Sequence, residues 1–388
     1  MRILYITNNT SMNGGANKSL IDMCLGQIKE GNTVAVVSPS GDAFETRLKE
    51  IGLKHYIISD MSLGVTSSIV KGFREFIRNV GKRVILPMVL PKRVRAVCRI
   101  AKEFHADIIH TNTSCSIEGV LAAKKLGLRH VWHIREMMEE DYQLRYTLPR
   151  AHMKTLFEQS DQVICISRAI LEKFSWFIGD TRCQVLYNAV TLPKPDITLN
   201  GELAEKGGRF RFLIVGGVIP AKGILDAVTA FCRQFGSNDR AELYIVGSYE
   251  PEDAYYNQIM GIVRTNQAEE RVIFCGTTKN VTNYIVNSDC GLMCSYAEGL
   301  GRVTIEYMMC GLPVIGAAAG GTLEIVDEDR GLFYSPGDIE ALAGRMKQLY
   351  DDRRLCARLG RNGLEYANRE FSPELYSKKL NKIYLELF

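Results

Sequence analysis

The stretch Ser295-Tyr-Ala-Glu298-Gly299-Leu300-Gly301-Arg302-Val303-Thr304-Ile305-Glu306-Tyr-Met-Met-Cys-Gly311-Leu-Pro313-Val314 joins two segments of different character. The apolar run that precedes it, Cys290–Cys294, is typical of a short buried strand. Within it, residues 303–310 have the pattern of a helix that Gly311 ends. A loop that follows a buried strand and opens a helix is the connection of parallel α/β folds, so this stretch predicts that fold class.

The same loop carries residues suited to a nucleotide sugar. Gly299 and Gly301 let the backbone approach a ligand closely, and the free amides at a helix start favour a phosphate. Glu306, early in the helix, is a poor phosphate ligand and a good acceptor for paired sugar hydroxyl groups. A surface loop whose two glutamates only complement the helix dipole is the alternative interpretation.

Two glutamates separated by seven residues, with Gly-Leu-Gly between them and Gly-Leu-Pro-Val-Ile after the helix, resemble the signature of retaining glycosyltransferases of family 4. That family has the GT-B fold, two Rossmann-like doubly wound parallel-sheet domains facing a central cleft. The resemblance implies that Glu306 holds the ribose, that Gly301–Val303 hold the diphosphate and that Glu298 contacts the transferred sugar. Gly299, Leu300 and Arg302 complete the predicted donor loop.

The beginning of the chain predicts a first βαβ unit. Met1–Asn8 and Thr33–Ser38 read as strands, and a Gly-rich loop and the amphipathic helix Ser19–Lys29 lie between them. The resemblance implies that Gly14 and Gly15 in this loop close over the donor diphosphate or the acceptor. A tight turn that needs positive φ would explain the same pair.

Polar residues lie at the end of the predicted strand His130–Ile134 and directly after it. Ligands gather at the carboxyl ends of parallel strands, and the resemblance implies that His133 touches the transferred sugar. His110, inside an apolar strand, is read as structural. Arg135 and Glu136 could pair with each other or line the acceptor side, and the sequence favours neither.

A second segment suited to binding phosphate lies at the start of the second half of the chain. The strand Arg211–Gly216 leads to Gly217, Lys222 and Gly223 and then to the helix Ile224–Phe235, so Lys222 would face a diphosphate as a point charge. The resembled family usually has an arginine where Gly217 stands. Either the site works with one fewer cation, or Arg302 supplies the second one.

The base of the donor nucleotide is expected to contact backbone groups at the end of the strand Arg271–Gly276. By resemblance, Gly276 and Thr277 belong to this part of the site. Contacts made by the backbone do not depend on which side chains are present, so the sequence does not distinguish the bases. We expect a UDP- or GDP-linked sugar. The resemblance implies that neither a cofactor nor a metal is required.

A basic amphipathic stretch lies within residues 69–102. It interleaves ten Lys and Arg residues and one Glu with apolar residues, is interrupted by Pro87 and Pro91, and accounts for the basic excess of the first half. Its basic residues are Lys71, Arg74, Arg78, Lys82, Arg83, Lys92, Arg93, Arg95, Arg99 and Lys102. A solvated helical face, a surface for anionic membrane or a lipid-linked acceptor, and a nucleic-acid site are the three interpretations. The last is the weakest, because no aromatic stacking platform accompanies the charge.

Length and composition indicate two folded domains. The 388 residues predict an acceptor-side domain over 1–192, a linker over 193–208, a donor-binding domain over 209–371 and a helix over 372–388 that returns to the first domain. The eleven scattered cysteines indicate reduced thiols. With no signal peptide and no stretch of transmembrane length, we expect a cytoplasmic location, with contact at the inner face of the membrane if residues 71–102 bind there.

The sequence thus predicts a transferase that moves a hexose-type sugar from a nucleoside diphosphate to a hydroxyl of a glycan or lipid-linked acceptor, with retention, in the synthesis of cell-envelope polysaccharide or lipopolysaccharide. His133, Glu298 and Lys222 are the expected catalytic residues. A sugar-nucleotide epimerase of the same fold and a non-catalytic sugar-nucleotide-binding subunit are the alternatives. Nucleic acid is not an expected partner.

Overall fold

The computed structural model describes residues 1–11, 15–59, 61–68, 72–195, 207–236 and 240–388. The chain forms two compact units, one of Met1–Ala189 with Pro373–Phe388 and the other of Val190–Ser372. Gly14, Lys71 and most of the predicted linker 193–208 lie outside the described residues. We therefore describe each unit by itself.

The first unit is built on a seven-stranded parallel sheet with the strand order β3-β2-β1-β5-β6-β8-β9. A small antiparallel pair, β4 with β7, lies apart from it. Its elements, apart from one returning helix, are β1 (Arg2–Ile6), α1 (Gly15–Lys29), β2 (Thr33–Ser38), α2 (Asp42–Glu50), β3 (Lys54–Ile57), a 3-10 turn (Met61–Gly64), β4 (Val65–Ser67), α3 (Phe73–Phe104), β5 (Ile108–Thr111), α4 (Glu118–Leu126), β6 (Arg129–Ile134), α5 (Glu139–Tyr142), β7 (Leu144–Tyr146), α6 (Arg150–Glu158), β8 (Gln162–Cys165), α7 (Arg168–Ile178) and β9 (Cys183–Val185).

The second unit is built on a six-stranded parallel sheet with the order β12-β11-β10-β13-β14-β15. Its elements are β10 (Phe210–Val215), a 3-10 turn (Pro220–Lys222), α8 (Ile224–Phe235), β11 (Ala241–Val246), α9 (Ala254–Thr265), β12 (Val272–Gly276), α10 (Val281–Val286), β13 (Cys290–Met293), α11 (Arg302–Met309), β14 (Val314–Ala317), α12 (Thr322–Ile325), β15 (Gly331–Tyr334), α13 (Ile339–Asp351) and α14 (Arg353–Glu370). The final helix, α15 (Pro373–Leu385), belongs to the first unit. The prediction of two doubly wound parallel sheets is confirmed.

Both faces of the first sheet are buried, as a parallel sheet requires. Along β1, Ile3 and Tyr5 enter a core cluster that includes side chains of α1 and α15. Leu4 and Ile6 enter a second cluster, which includes side chains of α3 and α4. This alternation explains why the strand is a continuous apolar run rather than one of alternating polarity.

Helix α3 is the main departure from the sequence pattern. It runs for 32 residues without interruption through Pro87 and Pro91, although each proline removes one backbone donor from the helical ladder. Its C-terminal half packs on the sheet through side chains such as Val97 and Phe104. The prediction that Arg93 belongs to the basic surface is wrong, since its side chain is buried and lies 3.6 Å from a carboxylate oxygen of Glu118.

Helix α15 packs closely on α1. A Cβ atom at Gly26 would lie 1.9 Å from Oγ and 3.1 Å from Cβ of Ser377, so a larger residue would require the Ser377 side chain to move. The Gln27 side-chain amide donates to the Ser377 carbonyl at 2.9 Å, and that of Asn32 donates to Asn381 at 2.9 Å. The last helix is therefore held by a steric fit and by specific polar contacts.

We expect Gly26→Leu to loosen α15 and to lower the free energy of unfolding by about 1–3 kcal/mol, because the inserted side chain must displace Ser377. The matched control is Gly344→Leu in α13, where a Cβ atom meets nothing within 4 Å. Urea unfolding and limited proteolysis near residue 373 would measure both variants. Equal stability of the two variants would contradict the packing described for α1 and α15.

Candidate active site

The strand order of each sheet contains one point where the chain reverses its direction of winding. In the second unit the chain runs outward through β10, β11 and β12 and then returns to β13, which pairs with β10. Loops that leave two such neighbouring strands diverge and create a crevice that commonly binds ligands. The loop with Lys222 follows β10, and the loop with Glu298 follows β13. The two predicted elements of the donor site therefore flank the same crevice.

These two loops are in direct contact. The Lys222 ammonium nitrogen lies 2.7 Å from Oε2 of Glu298, and both side chains are partly buried. The Tyr296 amide donates to the Ala221 carbonyl at 3.2 Å. Gly223 has a φ of 62°, and a Cβ atom there would lie 2.1 Å from the Cys294 carbonyl oxygen. Glycine at this position therefore allows the loop after β10 to reach the loop after β13.

A third loop, after β14, supports Glu298 from its other side. The Gly321 amide donates to the Glu298 carbonyl at 2.8 Å. A Cβ atom at Gly320 would lie 2.4 Å from the Glu298 carbonyl oxygen, and one at Gly321 would lie 2.6 Å from that of Gly299. A simple turn would account for this glycine pair at the level of sequence, whereas the structure shows a close backbone contact with the donor loop.

Helix α11 begins at the predicted phosphate-binding amides. Its N-cap, Gly301, has a φ of 86°, and the first helical residues leave backbone amides without intrahelical acceptors. Leu300 is 2% exposed as a whole residue, so its side chain is not available to a ligand. The Arg302 side chain pairs with Glu306 at 3.1 Å, one helical turn later. The predicted ribose ligand and the candidate second cation are therefore partners of each other.

Crowding does not explain the glycine at position 217. A Cβ atom there would have Oγ of Ser248 as its nearest neighbour at 3.4 Å, which is an ordinary contact distance. The space at position 217 would therefore admit the Cβ atom of an arginine.

Gly276 and Thr277 lie at the end of β12. Gly276 has a φ of 68°, and its carbonyl accepts the Gly247 amide at 2.9 Å. Thr277 also lines a cavity of about 910 Å³ along this edge strand, together with Arg209, Glu242, Tyr244, Cys275 and other residues. Lys222, Glu298 and Glu306 are not among the residues that line this cavity.

In the first unit, the predicted sugar-contacting residue His133 is completely buried on β6. Its Nδ1 atom lies 3.2 Å from Nε2 of His110 and 3.4 Å from a guanidinium nitrogen of Arg135. Burial, the Arg135 charge and the neighbouring imidazole hold the pKa of His133 well below its usual range, and the pKa of His110 is lowered by burial and by Arg135. Both imidazoles are neutral at pH 7.

Arg135 and Glu136, left open by the sequence, have separate partners. The Arg135 guanidinium donates to Asn112 Oδ1 at 2.7 Å and to Asn188 Oδ1. Oε2 of Glu136 accepts the Ser114 amide and the Ser114 hydroxyl, both at 3.0 Å. The two side chains therefore organise the loop after β5 and do not pair with each other in the described contacts. Gly15, the described member of the predicted glycine pair, is the first residue of α1.

One Asp-x-Asp triplet occurs in the chain, at Asp327-Glu328-Asp329. It lies in the turn after α12, where Asp327 pairs with Arg330 at 2.8 Å and accepts the Asp329 amide at 3.1 Å. Among the described residues no group of three His, Cys, Asp or Glu side chains is arranged to hold a metal ion. All eleven cysteines are described, and none forms a disulfide.

Two sequence families match this chain, one in each half. The family described as Glycosyltransferase Family 4 matches residues 13–193, and that described as Glycosyl transferases group 1 matches residues 197–366. Together they span nearly the whole chain. None of the helices in the described ranges has the length and apolar character of a membrane span.

Individual relatives have low sequence identity to this chain, but the similarity extends over most of its length. The N-acetyl-alpha-D-glucosaminyl L-malate synthase of Bacillus anthracis is 26% identical over 75% of this chain and 77% of its own length. The alpha-monoglucosyldiacylglycerol synthase of Streptococcus pneumoniae is 23% identical over 74% of this chain and 68% of its own length. The crystal structure of Anabaena Alr3699/HepE in complex with UDP has a TM-score of 0.80 at 21% identity, with 100% of each chain covered.

Three buried histidines make the stability of the first unit sensitive to acid. Burial lowers the pKa of His130 to about 3, and His110 and His133 are also held neutral. The unfolded chain takes up these protons below about pH 6.5 and the folded chain does not, so we expect stability to fall as the pH falls, by about 1.4 kcal/mol per pH unit for each histidine.

His130→Gln should reduce this acid slope by the contribution of one proton, and His152→Gln, at an exposed position, is the matched control. Urea unfolding between pH 5 and pH 7 measures the slopes. The same slope in His130→Gln as in the unsubstituted chain would contradict the assignment of His130 as a buried neutral imidazole.

Proposed function

Since this chain belongs to the family 4 glycosyltransferases of the GT-B fold, we propose that it transfers a hexose-type sugar from a nucleoside diphosphate to a hydroxyl of a glycan or lipid-linked acceptor, with retention of anomeric configuration. The process we propose is the synthesis of a cell-envelope polysaccharide, lipopolysaccharide or glycolipid. Relatives whose names concern a capsular polysaccharide and a glycosyldiacylglycerol support that choice.

The contact between Lys222 and Glu298 across the crevice of the second sheet carries this proposal. A cation for a diphosphate and a carboxylate for sugar hydroxyl groups lie side by side, next to the first turn of α11. A nucleotide sugar needs both groups at this separation, because its sugar is bonded directly to its terminal phosphate. A donor diphosphate would take over the Lys222 ammonium from Glu298, which would leave the carboxylate for the sugar.

In this mechanism the largest catalytic contribution is electrostatic. Lys222 and the amides of Gly301–Val303 would stabilise the negative charge that develops on the leaving diphosphate. Glu306 would hold the ribose and Glu298 the sugar hydroxyl groups, so that the donor is oriented before reaction. With both glutamates used for binding, we propose attack from the face of the leaving group, assisted by its phosphate, and without a resident metal.

The donor base is proposed to be uracil or guanine. The structural neighbour Alr3699/HepE was crystallised with UDP and with UDP-glucose, which favours uridine as the first choice. The proposed base contacts are with the backbone at Gly276 and Thr277. The departure at Gly217 bears on the strength of diphosphate binding and not on the choice of base.

We further propose that the acceptor is met at a membrane surface through α3. Seven large apolar side chains in the N-terminal half of this helix are exposed, with Phe73 and Met88 each 76% exposed. These side chains are Phe73, Phe76, Ile77, Val80, Val84, Ile85 and Met88. Positions 73, 77, 80, 84 and 88 follow the helical spacing of a single stripe.

This stripe is a second apolar face, different from the one that packs on the unit. Over the same turns, Asn79 bonds to both backbone groups of Ser67, Lys82 donates to Val65, and Leu86 is buried. Basic side chains, including Arg74, Arg78 and Arg83, are exposed on the same part of the helix. Exposed apolar residues flanked by basic ones match an anionic lipid surface in both hydrophobicity and charge.

The donor site is tested by thermal shift with uridine, guanosine and adenosine diphosphates and their sugar conjugates. One nucleotide at a hundredfold excess over its dissociation constant should add about 2.7 kcal/mol of stability. Lys222→Ala should weaken its binding roughly 10- to 100-fold, because a charge-assisted contact with the diphosphate is lost. The matched control is Lys347→Ala, which removes another 2.7 Å ion pair of the same unit.

In the same screen Glu298→Gln should keep nucleoside diphosphate binding, since it removes an anion that competes for Lys222, and should lose sugar transfer. An absence of stabilisation by every nucleotide would overturn the donor assignment. Nucleotide binding together with epimerisation of the donor sugar, and no transfer, would favour the epimerase instead.

The α3 surface is tested by cosedimentation with vesicles of neutral lipid and of neutral lipid mixed with an anionic lipid. We expect binding to the anionic vesicles only, weakened by salt, and at least tenfold weaker in a Phe73→Ser and Met88→Ser double variant. Ile28→Ser, at an exposed apolar position on α1, is the matched control. Equal binding to both vesicles, self-association through α3, or binding to RNA instead would contradict a lipid surface.

A further inference from the structure

A chain of buried hydrogen bonds joins the last helix to His133. The Tyr5 and Tyr384 hydroxyl groups lie 3.0 Å apart, and the Tyr384 hydroxyl lies 2.7 Å from Nδ1 of His110. Nε2 of His110 lies 3.2 Å from Nδ1 of His133. All four side chains are 0% exposed. Of these four residues, the family resemblance implies contact with the sugar only for His133.

The direction of these hydrogen bonds follows from Arg135. Its guanidinium group can only donate, and it lies 3.4 Å from Nδ1 of His133. Asn112 and Asn188 accept from the same guanidinium group and fix its orientation. A proton on Nδ1 of His133 would face this fixed positive charge, so Nδ1 carries a lone pair and accepts.

The remaining protons can then be placed in order. Because Nδ1 of His133 accepts, Nε2 of His110 must donate to it. A neutral imidazole has one N–H group, so Nδ1 of His110 accepts from the Tyr384 hydroxyl. The Tyr384 oxygen in turn accepts from Tyr5. Each of these three hydrogen bonds then joins one donor to one acceptor, and all three run from Tyr5 towards His133.

This order leaves the proton of His133 on Nε2. That atom is buried and has no hydrogen-bond partner among the described residues. A second buried donor, Nδ2 of Asn112, also lacks a partner within the described part of the chain, and its amide oxygen is held by Arg135. Buried donors without acceptors are costly, and at a candidate site they indicate a ligand oxygen that completes them.

We propose that Tyr384 and His110 are positioning residues that fix His133 as a neutral Nε2–H donor to a hydroxyl oxygen of the transferred sugar. This inference rests on the proposed function for the identity of the ligand, but not for the tautomer. His133 thus binds and orients the sugar, and its proton stays on Nε2. The C-terminal helix takes part in the site, because the Tyr384 hydroxyl donates the hydrogen bond that supports the Nε2–H form of His110.

The tautomers are measured directly in the full chain labelled with ¹⁵N in histidine. Long-range proton–nitrogen correlation spectra at pH 7.5 show which ring nitrogen of each of the six histidines carries the proton. The loss of one pattern in His133→Gln assigns that residue, and His110→Gln assigns the other. We expect the Nε2–H form at both positions. An Nδ1–H form at His133 in the unsubstituted chain overturns the proposal, with no need for any variant to fold.

Two tyrosine variants test the direction of the chain. Tyr384→Phe removes the donor to His110, so the Nδ1–H form of His110 should gain roughly fivefold in population relative to the Nε2–H form. Tyr5→Phe is the matched control, since Tyr384 can still donate to His110 without it. An unchanged spectrum in a folded Tyr384→Phe, or an equal change in both variants, contradicts the role of Tyr384.

The consequence for transfer is measured separately. Tyr384→Phe should lower kcat for sugar transfer about fivefold and leave nucleoside diphosphate affinity unchanged, because Lys222 and α11 belong to the other unit. Tyr5→Phe should retain kcat. If the unsubstituted chain transfers no sugar while its tautomers are as expected, the proposed function fails and the positioning of His133 stands. A Tyr384→Phe variant with unchanged kcat overturns the functional part of the inference.

Discussion

The Tyr307 hydroxyl group fastens α11 to the sheet of the second unit. It accepts the Val215 amide at 2.9 Å and donates to the Leu213 carbonyl at 3.3 Å, in and at the end of β10. The ring covers Gly291 of β13, where a Cβ atom would lie 2.3 Å from a ring carbon. One side chain thus ties the helix to both strands that flank the crevice. The amides at the start of α11 and the position of Glu306 follow from this anchor.

The two units hold their candidate site residues by different physical means. In the second unit, glycines let three loops approach one another at backbone distance, so Glu298 is fixed by contacts with its own main chain. In the first unit, buried polar side chains hold His133, and the hydrogen bonds that run from Tyr5 to His133 offset the cost of burying these groups. The predicted donor loop depends on glycines, which carry no side chain. The hydrogen bonds of His133 depend on which atoms of the neighbouring side chains carry protons.

The predicted donor loop and the helix after it could be located in the sequence because their signals are local. Glu298, Gly301 and Glu306 lie within one loop and helix, and the strand on each side has a clear apolar pattern. The order β12-β11-β10-β13 then brings this loop beside Lys222, which is 76 residues away. Sequence could propose that approach only through the family resemblance.

The hydrogen bonds that join Tyr384 and His110 to His133 could not be predicted from the sequence in this way. Tyr384 and His110 are 274 residues apart, and nothing in the apolar pattern around either residue signals a shared hydrogen bond. The sequence therefore indicates only a structural role for His110. The same limit applies to α3, where the charge pattern indicated a basic surface but not that Arg93 points inward or that the helix continues through two prolines.

A crystal structure of the chain with the nucleoside diphosphate that it binds tests the central claim most directly. The account predicts diphosphate oxygens within hydrogen-bond distance of the Lys222 ammonium and of the amides of Gly301–Val303, with the ribose on Glu306. A nucleotide seated elsewhere, for example in the cavity along β12 with Lys222 still paired to Glu298, would contradict it.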